Sequence, residues 1–164
     1  MNQSSRSNAT ASFENRIARY FFPLSILLMA LTGFGQMPIY KRYYMSELPG
    51  FGWLADFITT RYLHYLGAAL LLALVSYFVF DYFFLQRKNI KVTLSGYLRL
   101  ALLSGIIITG ILFVIKNFPV HYFSPQFIIF LNLCHLGLVM AFLFVNLYCL
   151  IFKKKWTTTR LMHK

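Results

Sequence analysis

The sequence predicts an all-α integral membrane protein, built as an antiparallel bundle of four transmembrane helices with both termini in the cytoplasm. The first observation is composition: of 164 residues, 59% are hydrophobic and only 12% are charged. A soluble domain of this length cannot bury so much apolar surface, so lipid is expected to surround most of the chain. The second observation is the length of the apolar stretches, and the third is the distribution of basic residues.

Four apolar stretches each approach or exceed the about 20 residues that a helix needs to cross the hydrocarbon core. They cover residues 17–37, 62–85, 97–115 and 127–152. Their apolar runs lack the alternation of barrel strands, which favours helices. The first stretch is too long for the core of a signal peptide and does not end in a small-residue cleavage site, so we expect it to remain in the protein.

Basic residues are distributed unequally between the two faces that four spans would create. The formal net charge is +12, with 16 Lys and Arg residues. Four of them fall on the outer face, and these are Lys41, Arg42, Arg61 and Lys116. All others fall on the opposite face, which is therefore predicted to be cytoplasmic. This distribution favours anionic lipid headgroups over nucleic acid as the partner of the charge.

The predicted organisation is a cytoplasmic tail over residues 1–15, a four-helix transmembrane domain over 16–153 and a basic cytoplasmic tail over 154–164. The connection over 38–61 is rich in aromatic residues, and we expect a short amphipathic segment on the outer leaflet or a docking surface there. The connections over 86–95 and 116–125 are short, as in an antiparallel bundle. No internal repeat is visible.

Two histidines are the best indication of function. His64 lies near the start of the second apolar stretch and His135 near the start of the fourth. With cytoplasmic termini, both stretches run inward from the outer face, so the two side chains are expected at related depths. Ionisable side chains within a membrane are costly and indicate a functional site. Two neutral imidazoles are suitable axial ligands for haem iron, although a membrane histidine can also simply bond a neighbouring helix.

Other residues near these histidines are candidates for the same site. Arg61, one turn before His64, is a candidate partner for a haem propionate, together with Lys116 or Tyr62. Gly67 lets a flat macrocycle or another helix approach the backbone. His121 falls in an outer loop and is not expected to be a ligand.

Tyr65 and Asn132 are candidates for hydrogen bonds to a quinone carbonyl, with ordinary helix packing or propionate contacts as the alternative.

Three short motifs resemble the cytochrome b (gamma) subunits of membrane-bound formate dehydrogenases and their relatives in thiosulfate reductase and nickel–iron hydrogenase complexes. They are Arg19 before a span that ends in Leu31-Thr32-Gly33-Phe34, Arg61-Tyr62-Leu63-His64-Tyr65-Leu66-Gly67, and Asn132-Leu133-Cys134-His135. Such subunits usually hold two haems b. The ligands of the inner haem are missing, since Tyr20, Phe21 and Phe22 occupy the expected region of span one and Cys149 the second position in span four.

The resemblance implies one haem b per chain in a bacterial inner membrane protein. Its role would be to anchor a respiratory oxidoreductase complex and to pass electrons between an outer-face iron–sulfur or multihaem partner and the quinone pool. The chain has no catalytic carboxylate pair, nucleophile–base pair or nucleotide motif, so we expect a non-catalytic subunit. The alternative is a haem-free membrane anchor or assembly subunit of a larger complex. A transporter is not favoured, since paired intramembrane carboxylates and broken-helix repeats are not seen.

Overall fold

The computed structural model describes residues 20–44, 47–86, 90–119 and 123–159. Helix α1 covers Tyr20–Gly35, and it is followed by α2 (Pro38–Arg42), a 3-10 turn (Gly52–Ala55) and α3 (Phe57–Asp81). A π-helical turn (Tyr82–Gln86), strand β1 (Ile90–Val92), helix α4 (Leu94–Lys116), helix α5 (Pro125–Ile151) and strand β2 (Thr157–Thr159) complete the order. The predicted tail over 1–15 lies outside the described residues.

Three helices are long and apolar enough to cross a membrane: α3 with its π turn over 30 residues, α4 over 23 and α5 over 27. Large apolar side chains point outward along them, such as Phe84, which is 80% exposed, and Leu150, which is 76% exposed. A water-exposed surface of this kind would be unstable, whereas lipid solvates it. These helices confirm the second, third and fourth predicted stretches and indicate a multi-pass membrane protein.

Helix α1 is apolar but shorter, with 16 described residues from Tyr20 to Gly35. At about 1.5 Å per residue, this length is less than the about 30 Å hydrocarbon core. The predicted first stretch starts at residue 17, and its first three positions lie outside the described residues. The count of four spans therefore stays a prediction.

Side chains that cap the first turn determine where the long helices begin. Asp56 accepts a hydrogen bond from the Ile58 amide before α3, and Thr93 accepts one from the Gly96 amide before α4. Ser124 caps α5, with a proline in the first turn. Each cap satisfies a backbone N–H that the helix itself leaves without a partner. The helices consequently start a few residues earlier than the apolar stretches alone predicted.

The chain divides into two compact units, Met1–Leu85 and Gln86–Lys164. In the first unit, α1 and α3 form an antiparallel hairpin, because Phe22 contacts Phe78 at 5.8 Å between ring centroids while Thr32, later in α1, contacts His64, earlier in α3. Buried Gly67 lies against α1.

The connection between α1 and α3 folds back onto the end of α1. The Tyr40 hydroxyl of α2 donates to the Phe51 carbonyl at 2.7 Å, and both Tyr40 and Leu54 are buried. A Cβ on Gly35 would lie 2.7 Å from the Leu54 carbonyl oxygen, so only glycine allows this close approach. This connection contains α2 and the 3-10 turn, and exposed aromatic rings such as Trp53 lie on its surface.

In the second unit, α4 and α5 form another antiparallel hairpin, in which Gly105 packs against Leu138 and Thr109 against His135. The chain after α5 folds back along the start of α4, where β2 pairs antiparallel with β1, Lys91 opposite Thr158. Strand β2 lies within the predicted basic tail over 154–164, and the two short strands accompany a structure that is otherwise mostly helical, as predicted. The β-branched residues of both segments favour this pairing.

Buried Arg99 links α4 to the segment directly before strand β2 of this two-stranded ribbon. It is 4% exposed, and its guanidinium donates to the carbonyls of Ser95 and Lys154, both at 3.1 Å. Its Cζ lies 4.2 Å from the centre of the Trp156 ring. Arg99, which the sequence analysis counted with the basic residues of the predicted cytoplasmic face, is therefore a buried structural cation.

Candidate functional site

His64 lies near the start of α3, seven residues after Phe57, and is half-buried against α1. Its Nδ1 is 2.9 Å from the Thr32 hydroxyl oxygen. Thr32 is fully buried, with 0% exposure. The imidazole is consequently held to the neighbouring helix through one defined ring nitrogen.

His135 has the same arrangement in the second unit. It is half-buried, ten residues after the start of α5, and its Nδ1 is 2.7 Å from the Thr109 hydroxyl oxygen of α4. The Phe113 ring meets the imidazole edge-on, with centroids 5.4 Å apart and planes at 88°. Packing and hydrogen bonding together restrict the orientation of this ring.

The two threonines determine which nitrogen of each histidine carries the proton. Thr32 Oγ1 lies 2.7 Å from the Leu28 carbonyl oxygen, and Thr109 Oγ1 lies 2.8 Å from the Gly105 carbonyl oxygen. Two oxygens at this distance need a proton between them, so each hydroxyl uses its single proton on its own helix. Each hydroxyl must then accept from the histidine, which places the imidazole proton on Nδ1 and the lone pair on Nε2.

A glycine follows each threonine and faces the imidazole. A Cβ on Gly33 would lie 3.4 Å from His64 Cε1, and one on Gly110 would lie 3.9 Å from His135 Cε1. The first distance is tight and the second is an ordinary contact. Glycine at 33 thus gives His64 the space that a side chain would restrict.

One cation accompanies each histidine. Arg61 precedes His64 by one turn and stacks its guanidinium on Phe57, 4.9 Å from the ring centre. Lys116 Nζ lies 5.6 Å from the centre of the Phe113 ring, the same ring that contacts His135. Both are cations suited to a carboxylate, the chemistry that a propionate partner requires.

The other predicted site residues have local contacts. Gly67 contacts α1, because a Cβ there would lie 2.9 Å from Met29 Sδ. Asn132 donates to the Ile128 carbonyl of its own helix at 2.9 Å, and Tyr65 is 42% exposed. A contact of any of these three with a cofactor or quinone stays a prediction. His121 lies outside the described residues.

Thr32 and Thr109 are the functional candidates that the sequence analysis missed. The available signal was a Thr-Gly pair that occurs in α1 and again in α4, each pair followed by a histidine in the next long helix. A threonine in an apolar helix ordinarily bonds its own backbone, as both do here, so nothing in the sequence marked a second partner.

The chain was compared with family models, curated proteins and solved structures, and none of the three comparisons gives a match.

Proposed function

We propose that this chain is a cytochrome b subunit that anchors a respiratory oxidoreductase complex in the bacterial inner membrane and holds one haem b through His64 and His135. The observation that carries the proposal is that each imidazole lies within hydrogen-bond distance of a threonine hydroxyl through Nδ1. Because each threonine hydroxyl accepts from Nδ1, Nε2 of each histidine would be the atom that donates its lone pair to the iron.

The residues present fit a haem group. Bis-imidazole ligation requires two neutral histidines with oriented rings, and the threonine bonds supply both conditions. Arg61 and Lys116 supply one cation beside each histidine, which matches the two propionates of the macrocycle. When bound, haem supplies one-electron transfer, and the chain's own residues hold the ligand nitrogens, restrict the rings and offer positive charge to the carboxylates.

The proposed topology has four spans with both termini in the cytoplasm. It places α1 as the first span and gives α3 and α5 the same inward direction, so that both histidines lie in the outer half of the bilayer. The unequal distribution of the 16 basic residues supports it.

The proposed partners are an outer-face iron–sulfur or multihaem protein, the catalytic subunit of the complex and the quinone pool. Tyr65 and Asn132 are the proposed polar groups for a quinone carbonyl. A quinone analogue should shift the haem spectrum of the wild type, and the shift should be lost in Asn132→Leu or Tyr65→Phe. An unaltered shift in both variants would place quinone exchange on another subunit.

A second candidate function is a haem-free membrane anchor or assembly subunit. It is favoured by the same bonds, because a histidine–threonine pair between two membrane helices also stabilises their packing. In that case His64 and His135 would act only as links within their hairpins.

Absorption spectroscopy of three variants separates these functions. The purified wild type should show a Soret band and a reduced-minus-oxidised b-type spectrum. His64→Ala and His135→Ala each remove one axial bond and should each abolish the low-spin spectrum, whereas His121→Ala, the matched control, should leave it intact. If either ligand variant folds and keeps an unchanged low-spin spectrum, that histidine is not a ligand.

A further inference from the structure

The two units contain the same arrangement of side chains in the same chain order. In each, a Thr-Gly pair on the first long helix meets a histidine on the second: Thr32 with His64, and Thr109 with His135. In each, the threonine hydroxyl also bonds the carbonyl four residues earlier on its own helix. The following glycine faces Cε1 of the imidazole in both units.

The pattern of buried and exposed residues around the histidine is also the same in α3 and α5. Leu71 and Phe142 follow the histidines of their own helices at the same distance in sequence, and both are buried. Before each histidine the order of burial is also the same. A buried residue, at 60 or 131, is followed by two exposed residues and then by two half-buried ones, of which the second is the histidine. The helical face that presents the histidine is therefore the same in α3 and α5.

We propose that the two hairpins are equivalent ligand modules, in which Thr32 and Thr109 hold Nδ1 of His64 and His135 and so make Nε2 of each imidazole the atom that would donate to haem iron. This inference rests on the proposed function for its ligand, but the hydrogen bonds on which it depends exist within each hairpin. Thr32 and Thr109 act through the histidines and are positioning residues.

The physical reason is the effect of a bond at Nδ1 on the opposite nitrogen. A hydroxyl that accepts the Nδ1 proton excludes the other tautomer, fixes the ring plane and makes Nε2 more basic. Loss of such an outer partner typically weakens metal binding by about 10- to 100-fold. It should also make the ring a weaker electron donor, which disfavours the ferric state and raises the reduction potential.

Valine replaces threonine with nearly the same shape and removes only the hydroxyl, so Thr32→Val and Thr109→Val are the informative variants. Thr32→Ser and Thr109→Ser keep the hydroxyl and should restore the wild-type values. Thr60→Val is the matched control, because Thr60 is as buried as Thr32 and its hydroxyl bonds the Asp56 carbonyl of its own chain segment at 2.9 Å. That control should alter neither histidine.

The first measurement uses haem-free protein in lipid nanodiscs, with ¹⁵N-labelled histidine observed by NMR. Wild type should show His64 and His135 protonated on Nδ1. Each valine variant should convert only the histidine of its own hairpin to a mixture of tautomers or to the Nε2–H form. The second measurement is haem affinity and midpoint potential, where each valine variant should lose about 10- to 100-fold in affinity and shift the potential upward.

The outcomes distinguish this inference from the proposed function. If wild type binds no haem, the proposed function is wrong, and the positioning of an iron ligand is overturned with it, even where NMR finds both protons on Nδ1. If wild type binds haem but the valine variants leave tautomer, affinity and potential unchanged, the positioning inference is overturned while the proposed function stands. If only one of the two valine variants changes the histidine of its own hairpin, the equivalence of the two modules is overturned.

Discussion

Replacing Arg99 with methionine should release the C-terminal strand while leaving the long helices intact. Methionine keeps an apolar stem of similar length but removes the hydrogen bond to Lys154 and the stacking on Trp156. A hydrogen bond from a charged donor contributes about 1.5–3 kcal/mol, and a cation–π contact about 0.5–2 kcal/mol. The free energy of opening the ribbon should therefore fall by about 2–5 kcal/mol.

Hydrogen exchange measures this opening directly. Since about 1.4 kcal/mol corresponds to a factor of ten in an equilibrium constant, amides of the peptide that contains β2 should exchange about 30- to 4,000-fold faster in Arg99→Met. Lys155→Met is the matched control: it removes one positive charge from the same segment, where the Lys155 side chain is exposed. Arg99→Lys should fall between them, because it keeps the charge but loses the planar fork. Unchanged β2 exchange in Arg99→Met would refute the proposed role of Arg99.

Two further predictions concern the first connection and the topology. Gly35→Ala should lower the free energy of unfolding in detergent by about 1–3 kcal/mol, because the added Cβ would overlap a backbone carbonyl of the 3-10 turn. Gly137→Ala, with no described atom within 4 Å of the added Cβ, should instead stabilise its helix by up to about 1 kcal/mol, and equal effects of the two variants would contradict this packing. A reporter that fluoresces only in the cytoplasm should be bright when fused after Lys164, and a dark but membrane-inserted fusion would reverse the orientation.

The long helices were largely predictable, because unbroken apolar runs have few other stable structures in lipid. Their starting points were less predictable. The second apolar stretch was expected from residue 62, whereas α3 begins at Phe57 because Asp56 caps it. Capping depends on local hydrogen bonds that hydrophobicity does not report.

The ribbon and the threonine bonds were not predicted, for a different reason. Strand β2 pairs with a segment far away in the sequence, and neither three-residue strand has enough apolar alternation to be recognised alone. The sequence indicates the histidines as polar groups in apolar helices, but their threonine partners lie on another helix. The packing of the helices brings Thr32 to His64 and Thr109 to His135.

Haem content of the purified chain tests the central proposal most directly. The protein should be extracted from membranes in mild detergent, and its haem measured as the pyridine haemochrome against protein determined by amino-acid analysis. The account predicts one b-type haem per chain, since His64 and His135 form one pair of ligands. A folded chain that contains no haem, even when isolated with its partner subunits, would contradict it and favour the haem-free anchor.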